Sequence, residues 1–147
     1  MSAGPTPRLP FFVYGTLRPG ERYHDVHLRG RIASEEPARL AGAVLYEGPG
    51  YPYLVEDPEA GPVSGELITA LPAAYDRLLA DLDVLEEYRR PGDPRNLYDR
   101  VVRDVTRPDG TTARAWVYVA APRVAAGLRT SGAVIKGGDW GAFRAGR

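Results

Sequence analysis

FFVYGTLRPG, Phe11 to Gly20, is apolar and aromatic as far as Tyr14 and then breaks at Gly15. The run Leu9 to Tyr14 predicts a buried strand, and Gly15 to Gly20 a loop that follows it with no spacer. A glycine placed straight after a buried strand lets successive backbone N–H groups converge on an anion at the strand's end. An ordinary tight turn is spelled the same way, so Tyr14-Gly15-Thr16-Leu17-Arg18 is open to either reading. The stretch has neither the further glycines of a dinucleotide fingerprint nor the lysine of a P-loop, which argues against nucleotide binding.

Beyond that stretch, Glu21 to Leu28 reads as a short helix and Ala38 to Tyr46 as a strand, which Gly48-Pro49-Gly50 and Pro52 break into a second rigid loop. Val63 to Ile68 is a further strand. Pro72 stands where a helix can begin, since the first helical position needs no N–H, and the pattern carries that helix to about Tyr88. Arg90 to Asn96, with two prolines and a glycine, is an irregular excursion. Tyr98 to Thr106, the turn Pro108-Asp109-Gly110 and Ala113 to Val119 then form a hairpin. Val134 to Trp140 is expected to add a last short strand. Several short strands, one main helix and no βαβ alternation predict an α+β fold: a small mixed β-barrel of about five to seven strands with that α-helix packed against it. Residues 9–147 are expected to form one domain, and residues 1–8 a disordered or extended segment.

The 147 residues are 44% hydrophobic, enough for one real core. Nineteen Lys and Arg balance nineteen Asp and Glu, so the net field that draws a protein to nucleic acid or an anionic membrane is missing and a small-molecule partner is expected. With no cysteine, any chemistry falls to carboxylate, hydroxyl, imidazole or backbone groups. Gly4, Pro5 and Pro7 interrupt the first ten residues, which hold no apolar run of signal-peptide or membrane-span length; a cytoplasmic location is the expectation.

Within the helix, Tyr75, Leu78, Leu79 and Leu82 recur at three-and-four spacing on one face, and Glu86 falls on that same face. Burial there would disfavour the carboxylate's charge and raise its pKa, as suits a group exchanging protons near neutrality. Periodicity leaves a second reading open, in which Glu86 belongs to a frayed last turn and meets solvent. Asp83 and Glu86 as a glycosidase pair find no other support, because carboxylates one turn apart are common on helices. His24 and His27, three apart, have no recognisable third ligand nearby and read as solvent-facing or capping residues rather than a metal pair.

Taken in order, FFVYGTLRPG (Phe11 to Gly20), YEGPGYP (Tyr46 to Pro52), SGELI (Ser64 to Ile68), LDVLEEY (Leu82 to Tyr88), YDRVVRDV (Tyr98 to Val105), AWVYV (Ala115 to Val119) and GGDW (Gly137 to Trp140) resemble the gamma-glutamylcyclotransferase-like family. The resemblance spans nearly the whole chain. It implies a small mixed barrel and an enzyme that releases 5-oxoproline and a free amine from γ-glutamyl amines, amino acids or peptides, with no metal or organic cofactor. It further implies that Tyr14, Gly15, Thr16, Leu17 and Arg18 cradle the glutamyl group, that Glu86, three residues after Asp83, is the catalytic acid/base, and that Tyr98 lines the pocket. No nucleic-acid or membrane partner is expected, and the chain is expected to be a monomer or homodimer. The alternative is a barrel of the same fold that only binds small molecules or proteins. Two residues depart from the family pattern and bear on pocket size and substrate: Tyr53, where a small residue is common, and Glu87, where glycine is frequent.

Overall fold

In a computed structural model of the protein, residues 8–146 are described. The strand predicted from the Phe11 run is β1 (Phe11–Val13), buried along its whole length. It is followed by α1 (His24–His27), β2 (Ile32–Leu40), β3 (Ala43–Glu47), β4 (Pro52–Glu56) and β5 (Val63–Ala70). A 3-10 turn at Pro72–Ala74 leads into α2 (Tyr75–Leu85), and then come β6 (Tyr98–Thr106), β7 (Thr112–Ala120), α3 (Pro122–Ser131) and α4 (Trp140–Ala145). Five strands close a barrel in the order β1-β5-β2-β6-β7, while β3 and β4 pair apart as a hairpin. All barrel pairings are antiparallel except the seam, where β1 runs parallel to β7 with Phe11 opposite Trp116. The fold is thus α+β, a mixed barrel with helices against it.

Strand alternation divides the core. Phe12, Leu67, Leu40, Val105 and Val117 share the cluster inside the barrel, whereas Phe11, Val13, Ile68, Trp116 and Tyr118 point to the opposite face. That outer face is where α2 docks, through Tyr75, Leu78 and Leu82. Leu78 and Leu82 are fully buried, and each such side chain contributes roughly 1.5–3 kcal/mol relative to exposure. The helix is thereby fixed on the barrel with its C-terminal end near the exit of β1.

Several elements differ from the sequence expectation. Ala38 to Tyr46 is two strands, because Gly42, at φ 65°, turns the chain between β2 and β3. The first half of β2, Ala33 to Pro37, is largely polar and solvent-facing, so its alternation does not show. Pro52 opens β4 instead of excluding it, since the first residue of a strand can do without its N–H. The expected strand from Val134 to Trp140 reduces to one bridge between Tyr46 and Val134, with α3 and α4 flanking it. The segment expected at 1–8 lies outside the described residues except for Arg8, which donates to the Pro72 carbonyl and Asp76. Among the described residues no helix is long and apolar enough to cross a membrane.

Candidate active site

Glu86 closes α2 as its C-cap. The last turn is a complete Schellman arrangement: the Tyr88 N–H donates to the Asp83 carbonyl at 2.9 Å and the Glu87 N–H to the Val84 carbonyl at 3.1 Å. This turn needs a left-handed residue after the cap, and Glu87 supplies it at φ 52°. Only glycine adopts that conformation without a steric penalty, so Glu87 carries a strain there that glycine would not. The turn holds the partly buried Glu86 side chain over the exit of β1 instead of letting it fray into solvent. Burial first, and the neighbouring Glu87 charge second, push the Glu86 pKa from near 4.5 up to about 7.

The cavity that Glu86 faces holds about 170 Å³ and is also lined by Tyr14, Gly15, Thr16, Leu17 and Tyr98. Gly15 passes so close to β4 that an added Cβ would lie 2.8 Å from the Pro52 ring, which is why the loop requires glycine there. The loop is braced from within: the Arg18 N–H donates to the Gly15 carbonyl and the Tyr23 N–H to the Thr16 carbonyl, each at 3.0 Å. Among the described residues no hydrogen bond occupies the N–H of Gly15, Thr16 or Leu17. These donors remain free for an anionic group.

Two tyrosines frame the cavity with their hydroxyls turned to backbone. Tyr14 donates to the Tyr118 carbonyl at 2.6 Å and Tyr98 to the Pro52 carbonyl at 2.8 Å. Burial, with the nearby Glu86 charge acting in the same direction, raises both phenols, so they stay neutral and serve as walls. Behind them Tyr118, itself a lining residue, donates to Asp83 at 2.7 Å, and Asp83 pairs with Arg100 at 3.0 Å. The Arg100 guanidinium lies 4.4 Å from the Trp116 ring and 5.2 Å from Tyr88, so helix, β6 and β7 are tied together one turn before Glu86.

Six of the residues that the sequence marked, Glu86, Tyr14, Gly15, Thr16, Leu17 and Tyr98, line this one cavity. Arg18 does not. It turns away to bond Glu66 at 2.8 Å and Asp139, the α4 N-cap, at 2.9 Å, and so anchors the loop from outside. His24 faces Glu35 and Asp25 across 2.8 and 3.2 Å; burial opposes its charged form, but the two carboxylates raise its pKa. His27 is lowered by burial and by the Arg31 charge. Sequence reasoning passed over Arg22, Tyr23, Tyr51 and Tyr118, which also line the cavity. The alternation of AWVYV carried a signal for Tyr118, since it faces the same side as Trp116; nothing local pointed to Arg22.

Known proteins resemble this chain in sequence and in fold. A family described as gamma-glutamyl cyclotransferase, AIG2-like, matches residues 11–142. Over 108 residues the chain is 39% identical to the gamma-L-glutamyl-butirosin B gamma-glutamyl cyclotransferase of Niallia circulans, covering 74% of this chain and 64% of that protein, so it spans less than two thirds of that relative's length. YkqA of Bacillus subtilis superposes with a TM-score of 0.63 at 25% identity over 92% of this chain and 40% of that one. The fold also matches an AIG2-like protein of Mus musculus, with a TM-score of 0.61 at 23% identity over 79% of this chain and 81% of that one. With a family match over residues 11–142 and a mixed barrel of the same fold, the chain belongs to the gamma-glutamyl cyclotransferase, AIG2-like family.

Proposed function

We propose that the protein cyclises a γ-glutamyl amide to 5-oxoproline and releases the free amine. The observation that carries this reading is the placement of Glu86, with a pKa raised to about 7, in the same cavity as the unoccupied N–H groups of Gly15, Thr16 and Leu17. A γ-glutamyl group has its α-amine one five-membered ring away from its γ-carbonyl, so the protein has only to fold the chain and move protons, and much of the rate comes from intramolecularity.

Glu86 accepts a proton from the α-ammonium, and the freed amine attacks the γ-carbonyl carbon. The N–H groups of the loop hold the oxyanion of the tetrahedral intermediate and the substrate's α-carboxylate. Glu86 returns that proton to the leaving nitrogen as its C–N bond breaks, then takes the second proton from the ring nitrogen and passes it to the departing amine. Over the cycle the two hydrogens lost by the α-nitrogen become the two gained by the leaving amine, and no water is consumed. A base with a pKa near 7 suits this double duty, because it neither keeps nor loses its proton too firmly at neutral pH.

The test is incubation with a panel of γ-glutamyl amines, amino acids and peptides, together with γ-L-glutamyl-butirosin B, the compound in the Niallia relative's name. Release of 5-oxoproline with an equal amount of free amine supports the reading. Tight binding across the panel with no product would make the protein a binding barrel.

A further inference from the structure

A second concavity lies apart from the one that Glu86 faces, and no residue lines both. It holds about 440 Å³ over a floor that includes the buried Ala43 and Ile135, with Val134 left half exposed on its wall. Strand register assembles its polar side. Arg39 of β2 stands directly opposite Ser64 of β5 in an antiparallel pair, so the two side chains share a face, their Cβ atoms about 5 Å apart. The Ser64 N–H donates to the Gly138 carbonyl at 2.8 Å, which brings the turn Lys136-Gly137-Gly138 to the same place. Gly138 sits so tightly on the start of β5 that an added Cβ would lie 2.5 Å from the Pro62 carbonyl oxygen. Gly137, at φ 85°, has open space beside it.

The polar groups gathered there can all donate, and all are unspent. Most arginines of this chain are committed to a carboxylate or a carbonyl, as Arg18 and Arg103 are. Among the described residues the Arg39 guanidinium, the Lys136 ammonium and the Ser64 hydroxyl have no partner, and no hydrogen bond occupies the N–H of Lys136 or Gly137. No aspartate or glutamate among the described residues lines the groove. Donors without acceptors over an apolar floor fit an anion with an aliphatic body. Its charge would be met by charge-assisted hydrogen bonds and its chain by Ala43, Val44 and Val134. Two cations in one groove call for two negative charges on one small molecule. The chain's nineteen acidic and nineteen basic residues give no net field for a polyanion.

We infer that the groove between Arg39, Ser64 and Lys136 is a second binding site, for a small dianion with a short aliphatic body: a phosphomonoester or a dicarboxylate. The site is separate from the cavity of Glu86, and occupancy of it does not depend on turnover there.

The experiment titrates the ¹⁵N-labelled full chain with n-propyl phosphate, with glutarate and with the neutral butyramide, and follows the backbone amides by NMR. A pH of about 7.5 keeps the phosphate ester doubly charged, since its second pKa is near 6. At least one dianion should give saturable shifts at Ser64, Lys136 and Gly137 with a Kd on the order of 1 mM at low salt, weakening as salt is raised to about 0.5 M. Which of the two saturates tells a tetrahedral head group from a planar one. Butyramide should leave these amides in place. Arg39→Gln and Lys136→Gln should each weaken binding about three- to five-fold, and the double variant by about ten-fold or more. Both side chains are exposed and unpartnered, so the variants keep the fold, which their own spectra check. Arg29→Gln, which removes an exposed cation outside the groove, should bind as the wild type does. No saturable shift with either dianion, equal shifts with butyramide, or binding that survives the double variant overturns the inference. So does a loss with Arg29→Gln as large as with the groove variants, which would mark a diffuse attraction to surface charge.

Discussion

Glu86 places a pH dependence on both stability and activity. Its proton leaves near 4.5 in the unfolded chain and near 7 in the folded one, the rise coming from burial and then from Glu87. A raised carboxylate contributes stability that is fully present below the unfolded pKa and is lost as pH climbs through the folded one. Between pH 4.5 and 7 the fold should therefore weaken by something on the order of 2 kcal/mol, allowing for the partial exposure of the side chain. Glu86→Gln removes that linkage. Urea unfolding at pH 4.5 and pH 8 should show the variant about as stable as the wild type at the lower pH and more stable at the higher; an equal difference at both would contradict the burial argument. In the wild type kcat/KM should rise through about pH 7 as the base is uncovered. The apolar stripe of α2 pointed Glu86 toward the core, but the stripe alone does not tell a buried cap from a frayed turn. What decides it is the pair of cap hydrogen bonds from Glu87 and Tyr88, which periodicity does not report.

At the scale of elements, the β1 loop and the end of α2 carry the consequences. Gly15→Ala drives a Cβ into the Pro52 ring at 2.8 Å, so either the loop or the start of β4 must move. Displacing oriented donors by a fraction of an ångström to 1 Å should lower kcat/KM by about 10- to 100-fold. The accompanying stability loss should be modest, about 1–2 kcal/mol, and steady-state kinetics beside thermal melting separate the two effects. A variant with wild-type activity would show that the loop's course is not critical. Glu87→Gly acts the other way, because it relieves a non-glycine residue at φ 52°; set against glycine's greater freedom in the unfolded chain, the net gain should be about 0.5–1 kcal/mol in denaturant unfolding. The β6–β7 hairpin was readable because Pro108-Asp109-Gly110 separates two β-branched runs. By contrast β2 hid behind its polar outer face and β4 behind Pro52, since a strand read from one chain shows only its own alternation and not the partners that pair with it.

For the molecule as a whole, the site exists because α2 is clamped to the outer face of the barrel. Leu82→Ala, at a fully buried position, should cost about 2–5 kcal/mol and reduce activity as well, since the same packing aims the helix end at the loop. The mixed barrel followed from short strands, one main helix and the absence of βαβ alternation. The parallel seam of β1 and β7 did not, because it joins residues about a hundred positions apart and leaves no local mark. Likewise Arg18 is adjacent in sequence to the cavity loop but belongs in space to Glu66 and Asp139, and only the closed fold separates those roles. The central claim is that this molecule moves protons through Glu86 to cyclise a γ-glutamyl group. The most direct measurement is 5-oxoproline release by the wild type and Glu86→Gln on the best substrate of the panel, with melting temperature and substrate binding recorded for both and with the remote Glu59→Gln as control. Turnover of Glu86→Gln should fall about 10²- to 10⁴-fold while its fold and binding persist; a folded Glu86→Gln that releases 5-oxoproline at the wild-type rate would contradict the claim.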